Sequence, residues 1–175
     1  MTTIKLDLGC GTNKRPGFVG MDSKSFAGVD VVHDLRRVPW PFADGSVSDI
    51  HCSHVLEHLT GSERCQFFDE VWRILVPGGK ALIITPHWSH ESAYGDPTHQ
   101  WPPVCSQTYF FTNRAWREQN APHVEMVCNF DCAFKGVSDP RDDYVKNVDQ
   151  ATLQQRMSRN INTFMELVCQ MTRLD

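Results

Sequence analysis

No stretch of this chain approaches the roughly 18 consecutive apolar residues needed to span a bilayer, and no charged-then-apolar segment opens it. Neither a membrane span nor a secretion signal is expected. Lys and Arg form no run, and the formal net charge is −4. That balance disfavours a duplex nucleic acid gripped mainly through its phosphates. Cys-x-x-Cys does not occur. The seven cysteines (Cys10, Cys52, Cys65, Cys105, Cys128, Cys132, Cys169) are odd in number and mostly lie within apolar runs. Without a secretion signal they read as reduced thiols in the cytoplasm. Cys128-x-x-x-Cys132 reads as two residues of one strand face rather than a zinc pair. Repeats, low-complexity tracts and linkers are absent too. What remains is ordinary for a globular protein: 175 residues, 41% hydrophobic and 22% charged. One domain over 1–175, with a sizeable core, is expected.

The informative stretch is Leu6-Asp7-Leu8-Gly9-Cys10-Gly11-Thr12. An apolar run, Ile4 to Leu8, reads as a buried strand, and Gly-x-Gly follows it. Glycine there lets the backbone turn tightly and lets a ligand approach the main chain. In open α/β sheets, ligands sit beyond the carboxyl ends of the strands. The longer dinucleotide fingerprint fails, because Lys14 stands where a third glycine or alanine belongs. A smaller nucleoside ligand fits better than a nicotinamide or flavin dinucleotide.

Further strands are expected at Phe18–Met21, Val29–His33, Val47–Cys52 and Ala81–Thr85. Pro39 and Pro41 exclude a helix from Arg36–Gly45. A helix capped by Ser62 carries Phe67, Phe68, Val71, Trp72, Ile74 and Leu75 at helical spacing, and Pro77-Gly78-Gly79 stops it. Strands alternating with crossovers imply a parallel sheet. Pro86–Val104 holds four prolines and three histidines without periodicity, as a functional loop would. Beyond it lie a helix at Ser106–Asn120, a strand at Val124–Phe130 that can run on to Phe134, a charged turn at Asp139–Asp143 and a short helix at Asp149–Ser158. The alternation in Met165–Met171 marks a final strand.

Taken together and in order, these stretches resemble the class I S-adenosylmethionine-dependent methyltransferases, most closely the type 11 branch. The first glycine turn resembles that family's motif I. Gly17-Phe18-Val19-Gly20-Met21-Asp22 resembles its second strand. His33-Asp34-Leu35 and the segment Val38 to Ile50 resemble the third strand, the adenine-side loop and the fourth strand. Ser53-His54-Val55-Leu56-Glu57-His58-Leu59 and Leu75-Val76-Pro77-Gly78-Gly79-Lys80 complete the set. The resemblance covers residues 3–86 well and the remainder loosely. It implies an α/β, Rossmann-like methyltransferase fold: a mostly parallel seven-stranded sheet closed by an antiparallel C-terminal hairpin. It also implies S-adenosyl-L-methionine as cofactor, held by Asp7, Gly9, Cys10 and Gly11 near the methionine moiety, Asp22 at the ribose, Asp34 and Leu35 at the adenine, and Ser53. One departure stands out. The segment between Gly11 and the second strand is too short for a crossover helix, and the chain begins directly at its first strand. A minimal N-terminus and a cofactor pocket that is open, or closed by another chain, are expected.

Methyl transfer needs the acceptor positioned in line and, where required, a base. His54 follows the fourth strand, where acceptor and methyl group meet in this fold. His87, His90 and His99 lie with Asp96 in the proline-rich loop after the fifth strand. These four histidines are the catalytic candidates. His58 and Glu57 read more simply as residues holding a helix start against the sheet. No metal is expected, because His87-x-x-His90 on a loop lacks the geometry of a helical zinc pair. Signatures of base amino-methylation (Asn/Asp/Ser-Pro-Pro-aromatic) and of C5 methylation (Pro-Cys) are missing. The acceptor is therefore expected to be a small molecule, a nucleotide or a base. The alternatives are a nucleic-acid-modifying enzyme acting as a homodimer and a cofactor-binding module without catalysis.

Overall fold

The computed structural model describes residues 3–138, 147–157 and 161–175. Its seven strands are β1 (Ile4–Leu8), β2 (Val19–Asp22), β3 (Val31–Val32), β4 (Val47–Ser53), β5 (Leu75–Pro86), β6 (Phe130–Ser138) and β7 (Phe164–Arg173). They form one sheet in the order β3-β2-β1-β4-β5-β7-β6. The first five strands run parallel, and β7 lies antiparallel to both β5 and β6. The Rossmann-like sheet with an antiparallel C-terminal hairpin is thus present.

Alternation along the strands sends one set of side chains to a single core. Leu6, Leu8, Met21, Ile50, Cys52, Ala81, Ile83, Cys169 and Met171 are buried there with Phe67, Phe68, Val71 and Ile74 of α1 (Gly61–Ile74). The aromatic residues meet edge to face, Trp40 on Phe67 at 5.4 Å and Phe68 on Tyr109 at 5.7 Å. The opposite face of the sheet is polar. Lys5 pairs with Asp49 at 3.5 Å and Asp7 with His51 at 2.7 Å, while Lys80 and Gln170 on the neighbouring strands are exposed. Parallel strands normally connect through a helix that covers such a face. Here residues 9–18 and 23–30 join β1–β2 and β2–β3 without one. The expected short first connection is therefore real, and the polarity of that face is its counterpart.

Several boundaries differ from the sequence reading. Thr60, not Ser62, caps α1: its hydroxyl accepts from the Glu63 N–H, and the Glu63 carboxylate accepts from the Thr60 N–H at 2.8 Å. The helix ends at Ile74 because Leu75 is already extended. Pro77-Gly78-Gly79 therefore falls inside β5, at a register shift against β4, instead of stopping the helix. The third strand shrinks to Val31–Val32. The helix expected at Ser106–Asn120 is two, α3 (Ser106–Phe110) and α4 (Arg114–Asn120). Thr112 turns its hydroxyl back onto the Tyr109 carbonyl at 2.7 Å, and Asn113 caps the restart by accepting from the Trp116 N–H at 3.0 Å.

Residues 124–129 are not strand, because two of their backbone donors, those of Val127 and Cys128, are bound at 2.9 Å by the Asp69 carboxylate. The strand begins at Phe130 and runs to Ser138. The proline-rich loop contains one short helix, α2 (Ser92–Gly95), and α5 spans Gln150–Met157. The charged turn expected at Asp139–Asp143 and the end of the last helix at Ser158 lie outside the described residues. No helix among the described residues is long and apolar enough to cross a membrane.

Candidate functional site

β1 delivers the chain into the glycine turn at the carboxyl edge of the sheet. Gly9 and Gly11 sit at φ of +65° and +52°, in the left-handed region that favours glycine. A Cβ on Gly9 would collide with a Val55 methyl, so any larger residue there requires Val55 to move. The turn is tied to its neighbour strand: Gly9 N–H donates to the Met21 carbonyl at 2.8 Å and Gly11 N–H to the Asp22 carboxylate at 2.9 Å. Asp22 takes a second backbone donor, Lys24 N–H, at 3.0 Å.

Next to it, Asp34 forms an ion pair with Arg36 at 2.8 Å, which holds the Asp34 carboxyl below its ordinary range. The loop carrying Asp34 and Leu35 is anchored from α1. The Leu35 carbonyl accepts from the Trp40 indole N–H at 3.0 Å, the Trp40 backbone N–H donates to Glu70 at 2.6 Å, and Arg73 donates to the Phe42 carbonyl at 2.8 Å. Two prolines keep this loop non-helical, and α1 holds it in place.

Together these elements wall a groove of about 610 Å³ lined by Gly9, Asp22, Asp34, Leu35, His54 and His58, with Ser23, Lys24, Phe26, Arg36, Val55, Leu59 and Thr98 completing it. A second cavity, of about 600 Å³, is lined by His54, Pro86, Ser92, Gly95, Asp96, Pro97, His99, Met165 and Glu166. Both volumes suit small ligands. His54 lines both cavities. It is also a non-glycine residue at φ +54°, strained backbone that is characteristic of functional positions. Its Nδ1 lies 3.2 Å from Glu57 Oε1 and its Nε2 3.1 Å from Glu166 Oε1. The Glu57 hydrogen bond, with lesser help from Glu166, raises its pKa above the ordinary histidine value against the opposing effect of burial.

The other sequence candidates scatter. Asp7 is buried beneath the turn, accepting from the Arg15 N–H at 2.8 Å and paired to His51, so it braces the loop and does not line the groove. Cys10 is buried, and its sulfur lies where a side chain on Gly20 would have to go. Ser53 ends β4 and lines neither cavity. His87 and His90 are buried, and each Nδ1 accepts a backbone N–H two residues ahead, from Ser89 at 3.3 Å and Ser92 at 3.1 Å. They shape the loop and line neither cavity. His99 alone of the loop histidines reaches the second cavity. Glu166 is the functional neighbour that sequence reasoning missed. It lies 112 residues from His54, and no local spacing links them.

The family model described as a methyltransferase domain matches residues 15–83. No curated protein matches the chain. Among solved structures, a methyltransferase from Archaeoglobus fulgidus dependent on S-adenosylmethionine aligns over 98% of this chain and 86% of its own, at 16% identity and a TM-score of 0.70. A chain from the complex of the Haloferax volcanii Trm112 methyltransferase activator with a methyltransferase aligns over 99% of this chain and 84% of its own, at 15% identity and a TM-score of 0.57. Geranyl diphosphate C-methyltransferase from Streptomyces coelicolor, solved with S-adenosylhomocysteine, aligns over 97% of this chain and 72% of its own, at 14% identity and a TM-score of 0.57. At such identities the likeness is one of fold.

Proposed function

We propose that this chain is a methyltransferase dependent on S-adenosylmethionine that carries the methyl group to a small-molecule, nucleotide or base acceptor held in the second cavity; the methyltransferase-domain match and the shared fold support this reading. The observation that carries the reading is the position of His54, shared between the two cavities and held between two carboxylates.

The cofactor supplies an electrophilic methyl on a sulfonium. The chain's own residues bind and orient. Asp22 offers carboxylate oxygens to ribose hydroxyls, Asp34 and the Leu35 backbone border the adenine end, and the Gly9–Gly11 turn leaves room for the main chain to approach the methionine end. For His54 to act as base, the Nε2 proton it shares with Glu166 leaves through that carboxylate to solvent as an acceptor N–H or O–H takes the place of Glu166. The emptied Nε2 would then receive the acceptor proton when the bound cofactor gives up its methyl group. Glu57, on Nδ1, stabilises the resulting imidazolium, the arrangement in which a base is oriented by a third group. Asp96 and Glu166 in the cavity favour an amine or base over a phosphate-bearing group.

The test is S-adenosylhomocysteine release over a panel of amines, nucleobases and nucleosides. His54→Gln should lower turnover by about 10²–10⁴-fold while cofactor binding persists. Full turnover in that variant on an accepted substrate would overturn the assignment.

The same reading treats residues 1–175 as one cofactor-binding unit, since all seven strands share one sheet. Seven unpaired cysteines support a cytoplasmic setting. The missing crossover helices support closure of the groove by a second copy of the chain. The Haloferax methyltransferase, found with an activator, makes a dedicated partner protein the second reading. Sedimentation with and without S-adenosylhomocysteine separates the homodimer from a monomer.

A further inference from the structure

Among the described residues, one group of metal-ligating side chains converges beside His54 and shares Glu57 with it. Glu57, His58 and His99 each place one ligand atom so that all lie within 4.8 Å of one another. The two imidazoles meet edge to face, with ring centroids 4.8 Å apart. They come from distant segments: Glu57 and His58 from the 3-10 turn after β4, His99 from the proline-rich loop.

Hydrogen bonding fixes the tautomer of both histidines. His99 Nδ1 lies 3.2 Å from the Ala93 carbonyl, which can only accept, so Nδ1 carries the proton. Thr98 spends its hydroxyl proton on the Asp96 carboxylate at 2.7 Å, so His58 Nδ1, 3.0 Å from that hydroxyl oxygen, must be the donor as well. With Nδ1 engaged in each ring, Nε2 is the nitrogen left to face a ligand, and Asp96 Oδ2 lies 3.9 Å from that of His99. This is the outer-sphere pattern that orients histidine ligands of metals, with the remote N–H tied to a carbonyl or a polar side chain. A third observation is independent of the histidines. Glu57 is 4% exposed, and its Oε2 has no hydrogen-bond partner, although Oε1 is engaged by His54. A buried carboxylate oxygen without a partner calls for a missing one, and a cation meets that need.

We infer that Glu57, His58 and His99 form a binding site for a divalent transition metal of the zinc class, set in the wall between the cofactor groove and the acceptor cavity. His58 lines the first cavity and His99 the second. Two imidazoles and one carboxylate suit zinc, and a three-ligand set leaves a fourth position for water or an acceptor heteroatom. Tetrahedral coordination brings donor atoms to about 3.4 Å of one another. The site rests on burial and convergence; it shares Glu57 with His54, which engages the other carboxylate oxygen, Oε1.

Its test uses the metal alone on the full chain, stripped of metal and free of cofactor. Calorimetry with zinc should show one site. Cobalt should give the visible absorption of a tetrahedral nitrogen–oxygen site, without the near-ultraviolet thiolate band that binding at any of the cysteines would produce. His99→Ala and His58→Ala should each weaken binding by about 100-fold or more, since loss of an outer-sphere partner alone costs 10–100-fold. His123→Ala, at an exposed histidine remote from the cluster in sequence, should leave binding unchanged. Absence of stoichiometric binding by the wild-type chain would overturn the inference without recourse to any variant. So would a thiolate band, or affinity indifferent to both histidine substitutions. Turnover is read separately, so a metal-free enzyme that still transfers methyl groups would refute this site and leave the proposed function standing.

Discussion

Replacing Asp22 is the sharpest test of where the cofactor lies. Both carboxylate oxygens of Asp22 already accept backbone donors, from Gly11 N–H at 2.9 Å and Lys24 N–H at 3.0 Å. These bonds hold the carboxylate at the carboxyl edge of β2, where Asp22 lines the groove. A ribose hydroxyl donating to it makes a hydrogen bond to a charged group, worth about 1.5–3 kcal/mol. At 1.4 kcal/mol per tenfold change, Asp22→Ala should weaken S-adenosylhomocysteine binding by about 10- to 150-fold. Asp22→Asn retains one acceptor oxygen but turns an amide N–H₂ toward one of the two backbone donors. It should fall between wild type and Ala in affinity. Isothermal titration of the three proteins measures this directly, with Asp49→Ala on the opposite face of the sheet as the control. Unchanged affinity in Asp22→Ala would remove the ribose from the end of β2 and with it the orientation of the ligand in the groove.

Gly9→Ala and Gly11→Ala should differ. Both put alanine at a positive φ, which costs about 1–2 kcal/mol, but only Gly9 also drives a Cβ into Val55, adding about 1–3 kcal/mol of overpacking. Thermal melts should show the larger fall in Tm for Gly9→Ala, and equal falls would refute the collision. Burial, assisted by the neighbouring His90, depresses the pKa of His87 below its ordinary 6.5. The unfolded chain then binds more protons at this site below pH 6.5. Stability from His87 is therefore complete above that value and declines as pH falls toward the folded pKa. Urea titrations at pH 7.5 and 5.5 should show a smaller acid loss in His87→Gln than in wild type, and an identical loss would refute it. His54, with its raised pKa, acts in the opposite sense and above pH 6.5, so the two contributions separate by window.

Much of this architecture was legible from local pattern. The apolar run Ile4–Leu8 followed by Gly-x-Gly, the prolines of the Trp40 loop and the helical spacing of Phe67, Phe68, Val71 and Ile74 each encode structure within a few residues. Backbone sterics and burial periodicity act at that range. Asp22, Asp34, Leu35 and Gly9 line the groove because each follows or flanks the carboxyl end of a strand or turn that the sequence marks. Other features depended on partners far along the chain. Asp69 denies residues 127–128 a place in the strand, Thr112 and Asn113 split a helix, and Glu166 reaches His54 from the last strand. His58 and His99 looked unrelated in sequence and meet only because the proline-rich loop folds back over the turn after β4. His87 and His90 looked like chemistry and are held as buried loop braces. Local sequence sets which residues can turn, cap or alternate. Which of the histidines titrates, bridges carboxylates or stays inert depends on burial and on through-space partners that come together only in the folded sheet.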